Sequence, residues 1–476
     1  MTAPRPVNRS LGLKLLIVCA LALTMSLPAF AIFGLIYDRT SRAQQVIAEV
    51  GERYGGEQSF IGPIVVAPYR VTRTAPNPAG GAAVQSVEDG WYVVFPETGE
   101  ADANADTDIR SRGDLFKVRT YTADVRFRAH FDLTGEPSAA PEGAIINWER
   151  ALILVGVADP RGTQGRAELT IEGRDPIPFE PGTVFSGFAG SPTAPVVTPQ
   201  GRPIGQMQWL AADASGIARP GAEFDASTAL RFTGVESMGV AAFARNTDIR
   251  LRGDWGSVGY AGAFPRADSE EDEEGAAERN AFDARWSVPY VARGVAASGA
   301  ADTLGMLANA DARVRFIDPA NPYQSVTRAL KYALLFIGVV FLAYFMFEAT
   351  SERRVHPAQY VMVGLAQIIF YLLLLAIAER IGFDWAFLIA AGATVMLISA
   401  YLGAIFKSRT RGLIALGGFS VLYALIYLLM RIEDYALLVG AVAAFLTIAA
   451  VMWFTRNLDW YEFAERAKEP QTPPQP

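Results

Sequence analysis

Eight charged side chains gather at the ends of apolar runs and are the residues best placed to do chemistry. Arg328 and Lys331 stand at the start of one run, Glu379, Arg380 and Asp384 in a short connection between two others, and Arg431, Glu433 and Asp434 in a second such connection. Carboxylates and guanidinia in connections this short lie against the helices they join, so they fall within reach of one another. Three kinds of work are open to them: pairing ions, holding a lipid headgroup or a glycan, or relaying protons. Pairing is the plainest, and at a half-wet interface it orients more than it stabilises. A smaller group, His356, Gln359 and Tyr360, precedes another apolar run, where it can cap a helix or touch a cytoplasmic partner.

Other chemistries are narrowed by what the sequence contains. Two histidines, His130 and His356, and one cysteine, Cys19, leave no His- or Cys-based metal site and no disulfide within the chain. An all-carboxylate metal site stays open. No nucleophile elbow, phosphate loop, zinc signature or dinucleotide fingerprint occurs in a supporting context. No catalytic, metal or cofactor-binding residue is therefore assigned, and no cofactor is expected. The net charge of -7 argues against a nucleic-acid partner.

The elements that position these charges are apolar runs of membrane length. Residues 15–37 carry no charge and follow Arg5, Arg9 and Lys14, which predicts a retained signal anchor; a cleavable signal peptide, with Ala29 and Ala31 as small residues, is the competing reading. Further spans are expected at about 329–348, 359–378, 383–405, 413–430 and 435–454, the last five forming a bundle over 329–455. Arg353, Arg354, Lys407, Arg409, Arg411 and Arg456 fall on the side of the basic N-terminus, while Glu379, Asp384, Glu433 and Asp434 outnumber Arg380 and Arg431 on the other. Charge asymmetry of this kind predicts cytoplasmic termini (1–14 and a disordered tail at 456–476) and an exported region between the first two spans. The six transmembrane helices thus divide as one N-terminal and five C-terminal.

The exported region begins with a helical stalk at 38–56, where Val46, Ile47, Val50 and Tyr54 recur at helical spacing. Residues 57–328 read as a large all-β, sandwich-like domain. DVRFRAHF at 124–131 alternates strictly, and further strands are expected at 90–96, 151–157, 167–173, 229–235 and 284–292. QSFIGPIVVAPYRV, with Pro63 and Pro68, predicts a strand near an edge or a bulge. The segments 76–83, 97–108, 191–203 and 268–278 read as long polar loops. TDIRSRGD at 107–114 recurs as TDIRLRGD at 247–254, which suits either a duplicated β unit or a chance strand-turn phrase.

Several segments together carry a family resemblance. GPIVVAPY, NPYQSVTRALKYALLF, FEATSERRVHPAQYVMVGLAQIIFYLLLL, AERIGFDWAFLIAA and RIEDYALLVGAVAAF followed by TRNLDWY resemble the CreD family of bacterial inner-membrane proteins. RGDWGSVGYAGAFPR and FDARWSVPYVARG look like that family's tryptophan-bearing segments; the acidic insertion at 268–280 and the segment at 97–108 depart from it. The resemblance implies a multi-pass cytoplasmic-membrane protein with a periplasmic domain, tied to cell-envelope integrity or envelope stress, with no established catalytic residue. The expected partners are the lipid bilayer and an envelope glycan, lipid or membrane protein. The rival readings are a membrane-tethered enzyme on glycan or lipid, which needs a carboxyl pair, and a transporter. For the latter, Gln367, Thr394 and Ser399 are the polar residues inside the bundle, with Gln367 expected to hydrogen-bond between helices.

Overall fold

A computed structural model of the 476-residue chain describes residues 11–75, 84–112, 116–135, 140–182, 195–197, 203–267, 280–307, 310–317, 322–349, 351, 355–431 and 436–456. The expected features at 76–83, 191–194, 198–202, 268–278, Arg353, Arg354, Glu433, Asp434 and the tail beyond 456 lie outside the described residues. The chain divides into two compact units: a helical one, Met1–Ala43 with Ala320–Pro476, and a β-rich one, Gln44–Pro319.

The chain opens with α1 (Leu11–Tyr54), one 44-residue helix in which the expected anchor and stalk are continuous; its residues up to Ala43 belong to the helical unit and those from Gln44 to the β-rich one. The helix stops at Gly55 and Gly56, whose φ of +90° and +65° is left-handed backbone. Gly55 also sits so close to Gly162 that a Cβ would lie 2.6 Å from its Cα, so only glycine fits.

The rest of the helical unit comprises α2 (Pro322–Lys331), α3 (Ala333–Ala349), α4 (Pro357–Ile381), α5 (Phe383–Ile405), α6 (Arg409–Arg431) and α7 (Ala436–Thr455). Among the described residues four helices are long and apolar enough to cross a membrane, or five if the bent pair α2 and α3 forms one span. The expected span at 329–348 is thus not one straight helix. It bends by 53° at Tyr332, whose N–H donates to the Ala329 carbonyl in a tightened turn. Sequence explains the bend: α2 is amphipathic, burying Val326, Ala329 and Leu330, whereas α3 is apolar all round. Large apolar side chains such as Leu388, Ile389, Met396, Leu397, Leu413 and Val421 point outward from α5 and α6, as helices bathed in lipid require.

The β-rich unit consists of two large sheets over one core. The ten-stranded sheet is built on β1 (Gln58–Ala75), which pairs antiparallel with β2 (Val84–Val94) and β5 (Leu152–Val157) and parallel with β9 (Ser237–Ala241). β1 is central rather than an edge, and its ladder with β5 shifts register between Ile61 and Ile64, a bulge spanning Pro63. β7 (Gln208–Asp213), β11 (Val258–Gly262) and β13 (Asp311–Phe316) extend the same sheet. The seven-stranded sheet runs β12 (Phe282–Val288), β10 (Asn246–Gly253), β3 (Thr98–Arg112), β4 (Phe116–Asp132), β8 (Glu223–Val235), β6 (Thr163–Ile171) and a two-residue edge at Ile177–Pro178. Phe60 on β1 meets Phe232 on β8 at 5.2 Å, joining the sheets edge to face, and Phe127 on β4 meets Phe243, just beyond β9, at 5.5 Å.

Two expectations fail here for physical reasons. The segment 97–108 is a strand, β3, not a polar loop: Ala101, Ala103 and Ala105 alternate into the core while Glu100, Asp102, Asn104 and Asp106 alternate outward. Alanine, aspartate and asparagine are poor strand formers alone, and pairing on both sides, with β4 and β10, overrides that preference. The strand expected at 284–292 ends at Val288, because Pro289 starts a helical turn at Tyr290–Arg293. The described parts of the repeated octapeptides, 107–112 and 247–254, lie on neighbouring strands but at different levels, since Thr247 faces Gly99 rather than Thr107. They touch where Asp254 accepts hydrogen bonds from the Thr107 N–H and hydroxyl, both at 2.8 Å.

Candidate functional site

In the helical unit, the six described members of the expected charge cluster lie at one end but resolve into separate groups. Arg328, on α2, donates to the Met430 carbonyl at 3.3 Å, satisfying one of the free carbonyls at the end of α6. Glu379 accepts from the Tyr323 hydroxyl at 3.1 Å and lies 3.9 Å from Arg39 of α1, so α1, α2 and α4 converge on one carboxylate. Asp384, in the first turn of α5, pairs with Arg431, in the last turn of α6, and accepts from the Tyr427 hydroxyl at 2.9 Å. Each charge of that pair also suits the helix end it occupies. Lys331 and Arg380 are exposed and take no partner among the described residues. The partners that sequence reasoning missed are Arg39, Tyr323 and Tyr427: the first falls in the expected stalk at 38–56, the second in the NPYQ segment that precedes a span, and the third inside the expected span at 413–430.

A tighter polar centre forms at the opposite ends of these helices. Glu348, 6% exposed at the end of α3, pairs with Lys14 near the start of α1. It also accepts from the Tyr360 hydroxyl at 3.1 Å and from the Val355 N–H at 2.8 Å. Three donors from three chain segments thus converge on one buried carboxylate, which is the pattern that makes a buried charge tolerable. Of the expected contact group, Tyr360 joins this centre, whereas His356 and Gln359 cap α4. His356 Nδ1 accepts from the Ala358 N–H at 3.2 Å, and the Gln359 side chain accepts from the His356 N–H at 2.9 Å, a reciprocal capping box. Glu348 reads in sequence as a flanking charge, and Lys14 lies 334 residues away; no local pattern links them.

Inside the bundle, Thr394 donates to the Ala390 carbonyl at 2.8 Å within its own helix. Gln367, 3% exposed, does not make the expected interhelical bond: its amide has no hydrogen-bond partner among the described residues.

The β-rich unit carries its own buried charge. Arg313, with no exposure, donates to Asp311 at 2.6 and 2.9 Å and to the Ser237 hydroxyl at 3.0 Å, and Ser237 donates on to Glu57 at 2.7 Å. Burial pushes the Asp311 carboxyl up, against the pull of the Arg313 guanidinium. Arg293 is the contrasting case: 3% exposed, stacked on the Phe95 ring at 4.1 Å, with no hydrogen-bond partner among the described residues. Burial pushes its guanidinium down to about 10.

On the exposed face of the seven-stranded sheet, register places Arg285, Arg250, Asp102 and Arg126 side by side on four neighbouring strands. Arg250 holds Asp283 bidentately at 2.8 and 2.5 Å, Arg252 pairs with Asp102 at 2.6 Å, and Arg128 pairs with Glu100 at 3.0 Å. A cleft of about 390 Å³ runs among Arg126, Arg128, Arg250, Arg285 and Asp248. Among the described residues no group of three or more His, Cys, Asp or Glu side chains could hold a metal ion.

Two comparisons with known proteins bear on this architecture. The family model described as "Inner membrane protein CreD" matches residues 10–461. The inner membrane protein CreD of Escherichia coli K12 is 27% identical over 444 residues, covering 93% of this chain and 92% of that protein. Both matches run through the helical and the β-rich unit alike.

Proposed function

The chain belongs to the CreD family of inner membrane proteins, and from that premise we propose that it supports cell-envelope integrity by presenting its β-rich unit in the periplasm to bind envelope components or membrane partners. In this reading six helices cross the membrane, α7 being the sixth, and both termini are cytoplasmic. Support comes from the distribution of basic residues and from the insertion of the whole β-rich unit, Gln44–Pro319, between α1 and the C-terminal helices.

The observation that carries the binding role is the charged cleft on the seven-stranded sheet. Arg250 and Arg285 face each other directly on neighbouring strands with Asp283 2.5 Å from the first and 3.9 Å from the second, so one carboxylate serves two guanidinia. With Arg126 and Arg128 lining the same cleft, this concentration of guanidinia suits an anionic glycan or lipid headgroup. The enzyme reading has less support. Among the described residues the two buried carboxylates, Asp311 and Glu348, lie in different units, and each is paired with a cation.

Two measurements test the proposal. A membrane-impermeant maleimide should label an Arg219→Cys variant in spheroplasts without lysis, and labelling only after lysis would reverse the topology. Photocrosslinking from positions 227 and 287, beside the cleft, should capture a defined envelope component in cells; capture at background level at both positions removes the binding role.

A further inference from the structure

The turn between α5 and α6 concentrates positive charge, with Lys407, Arg409 and Arg411 within five residues. Lys407 has a φ of +46° and reverses the chain, and Ser408 starts α6 by accepting from the Arg411 N–H at 3.3 Å. The first turn of α6 contains Arg409 and Arg411 and no acidic residue. Helix N-termini carry partial positive charge and favour acids, so a first turn with arginines and no acid is locally unfavourable. Arg411 lies over the Phe406 ring at 5.4 Å. Lys407 and Arg409 are exposed and pair with no acid among the described residues.

Beside this turn lies a groove of about 750 Å³ between the two helices. Its floor is made of small residues: Gly403 and Gly412 approach until a Cβ on Gly412 would sit 3.3 Å from the Gly403 Cα. Ser399 lines the groove, is 3% exposed, and keeps its buried hydroxyl without a hydrogen-bond partner. Met396, Leu413 and Leu416 form apolar walls that run away from the turn, and Lys407 and Arg409 form the mouth. Cationic mouth, helix N-terminus, unsatisfied hydroxyl and apolar trench thus follow one another along a helix pair that crosses a bilayer.

We propose that this groove is a binding site for one molecule of an anionic phospholipid. The headgroup phosphate sits at the start of α6 between Lys407 and Arg409, and one acyl chain lies in the trench over Gly403 and Gly412. A zwitterionic lipid fills the trench as well but brings its own cation to the mouth, where Lys407 and Arg409 repel it. The site does not depend on which side of the membrane holds the β-rich unit.

The test uses the full-length protein in detergent, titrated with phosphatidylglycerol or phosphatidylcholine of identical chains, with bound lipid counted by native mass spectrometry. Two basic residues near the headgroup predict a preference for phosphatidylglycerol of roughly thirtyfold. Lys407→Gln with Arg409→Gln should reduce that preference to about threefold or less while total lipid binding persists. Ala400→Leu, which narrows the trench and leaves the cations in place, should weaken both lipids together. Glycerol phosphate at the same concentration should not displace the lipid. Equal affinity for the two lipids, an undiminished preference in the double variant, displacement by glycerol phosphate, or a second copy of the chain in place of lipid would each overturn the proposal.

Discussion

The β-rich unit and the helical unit both bury a carboxylate against a cation, and they do so over very different distances in sequence. Asp311 and Arg313 are two residues apart on β13, so the pair exists as soon as the strand forms and needs only a neighbouring strand to cover it. Glu348 and Lys14 are separated by 334 residues, and their pair forms only when the first helix docks on the third. The first arrangement fixes a strand in its sheet through Ser237 and Glu57; the second fastens α1 to α3. Buried pairs add little net stability over well-packed apolar residues, but removing one partner strands the other. Each pair is therefore better viewed as a constraint on which arrangement is allowed than as a source of stability.

Asp311→Ala breaks the local pair most severely, because Arg313 is fully enclosed and keeps only Ser237. A loss of about 3–5 kcal/mol is expected, measured by denaturant unfolding of the purified protein followed by tryptophan fluorescence. Asp311→Leu combined with Arg313→Met should recover most of it; no recovery would mean the pair stabilises in its own right.

Glu348→Ala should cost less, about 2–3 kcal/mol, because Lys14 is 21% exposed and can swing its ammonium outward. The distinguishing readout is local. Hydrogen exchange should accelerate in α1 around residues 14–25 and stay unchanged in β1 to β13. Acceleration spread evenly through both units would show that the long-range pair is not a separate fastening.

Arg293 sharpens the contrast from the other side, since it is buried with a ring contact and no counter-ion. Arg293→Met keeps the volume against Phe95 and removes the charge, so a gain of about 1 kcal/mol is expected in the same unfolding measurement. A loss of comparable size would reveal a partner for this guanidinium that the described residues do not include.

The same contrast of local and distant contacts decides what was legible in the sequence. Apolar runs are local, so the apolar helices are legible in outline, although α2 begins at Pro322, ahead of the span expected from 329, and strict alternation makes residues 124–131 of β4 legible. β3 is not, because its inward residues are alanines and its outward ones acids and amides; only partners more than a hundred residues away in β10, together with β4, make it a strand. The described members of the charge cluster lie at one end of the helices, where Arg328 also donates to the free carbonyl of Met430; the expected carboxylates Glu433 and Asp434 lie outside the described residues. Tyr360 is legible as part of an inner-face group, but its partners Glu348 and Lys14 are not, since a charge at the end of an apolar run looks like any other flank.

The smallest effect belongs to the sheet surface, where ion pairs are neither enclosed nor distant. Arg250 donates two hydrogen bonds to Asp283 on the adjoining strand and holds its carboxyl below the usual aspartate range. A carboxyl depressed in the folded state stabilises above the unfolded value of about 3.9, and that contribution fades as pH falls through this value toward the folded one. Because Asp283 and Arg250 are 31% and 38% exposed, screening limits the contribution to about 0.5 kcal/mol. Asp283→Asn should therefore lower stability by that amount at pH 7 and by nothing at pH 2, the two unfolding curves converging on acidification. A variant as stable as the parent at pH 7 but altered in ligand capture at positions 227 or 287 would instead assign Asp283 to the cleft, as the group that holds Arg250 in place for an anion.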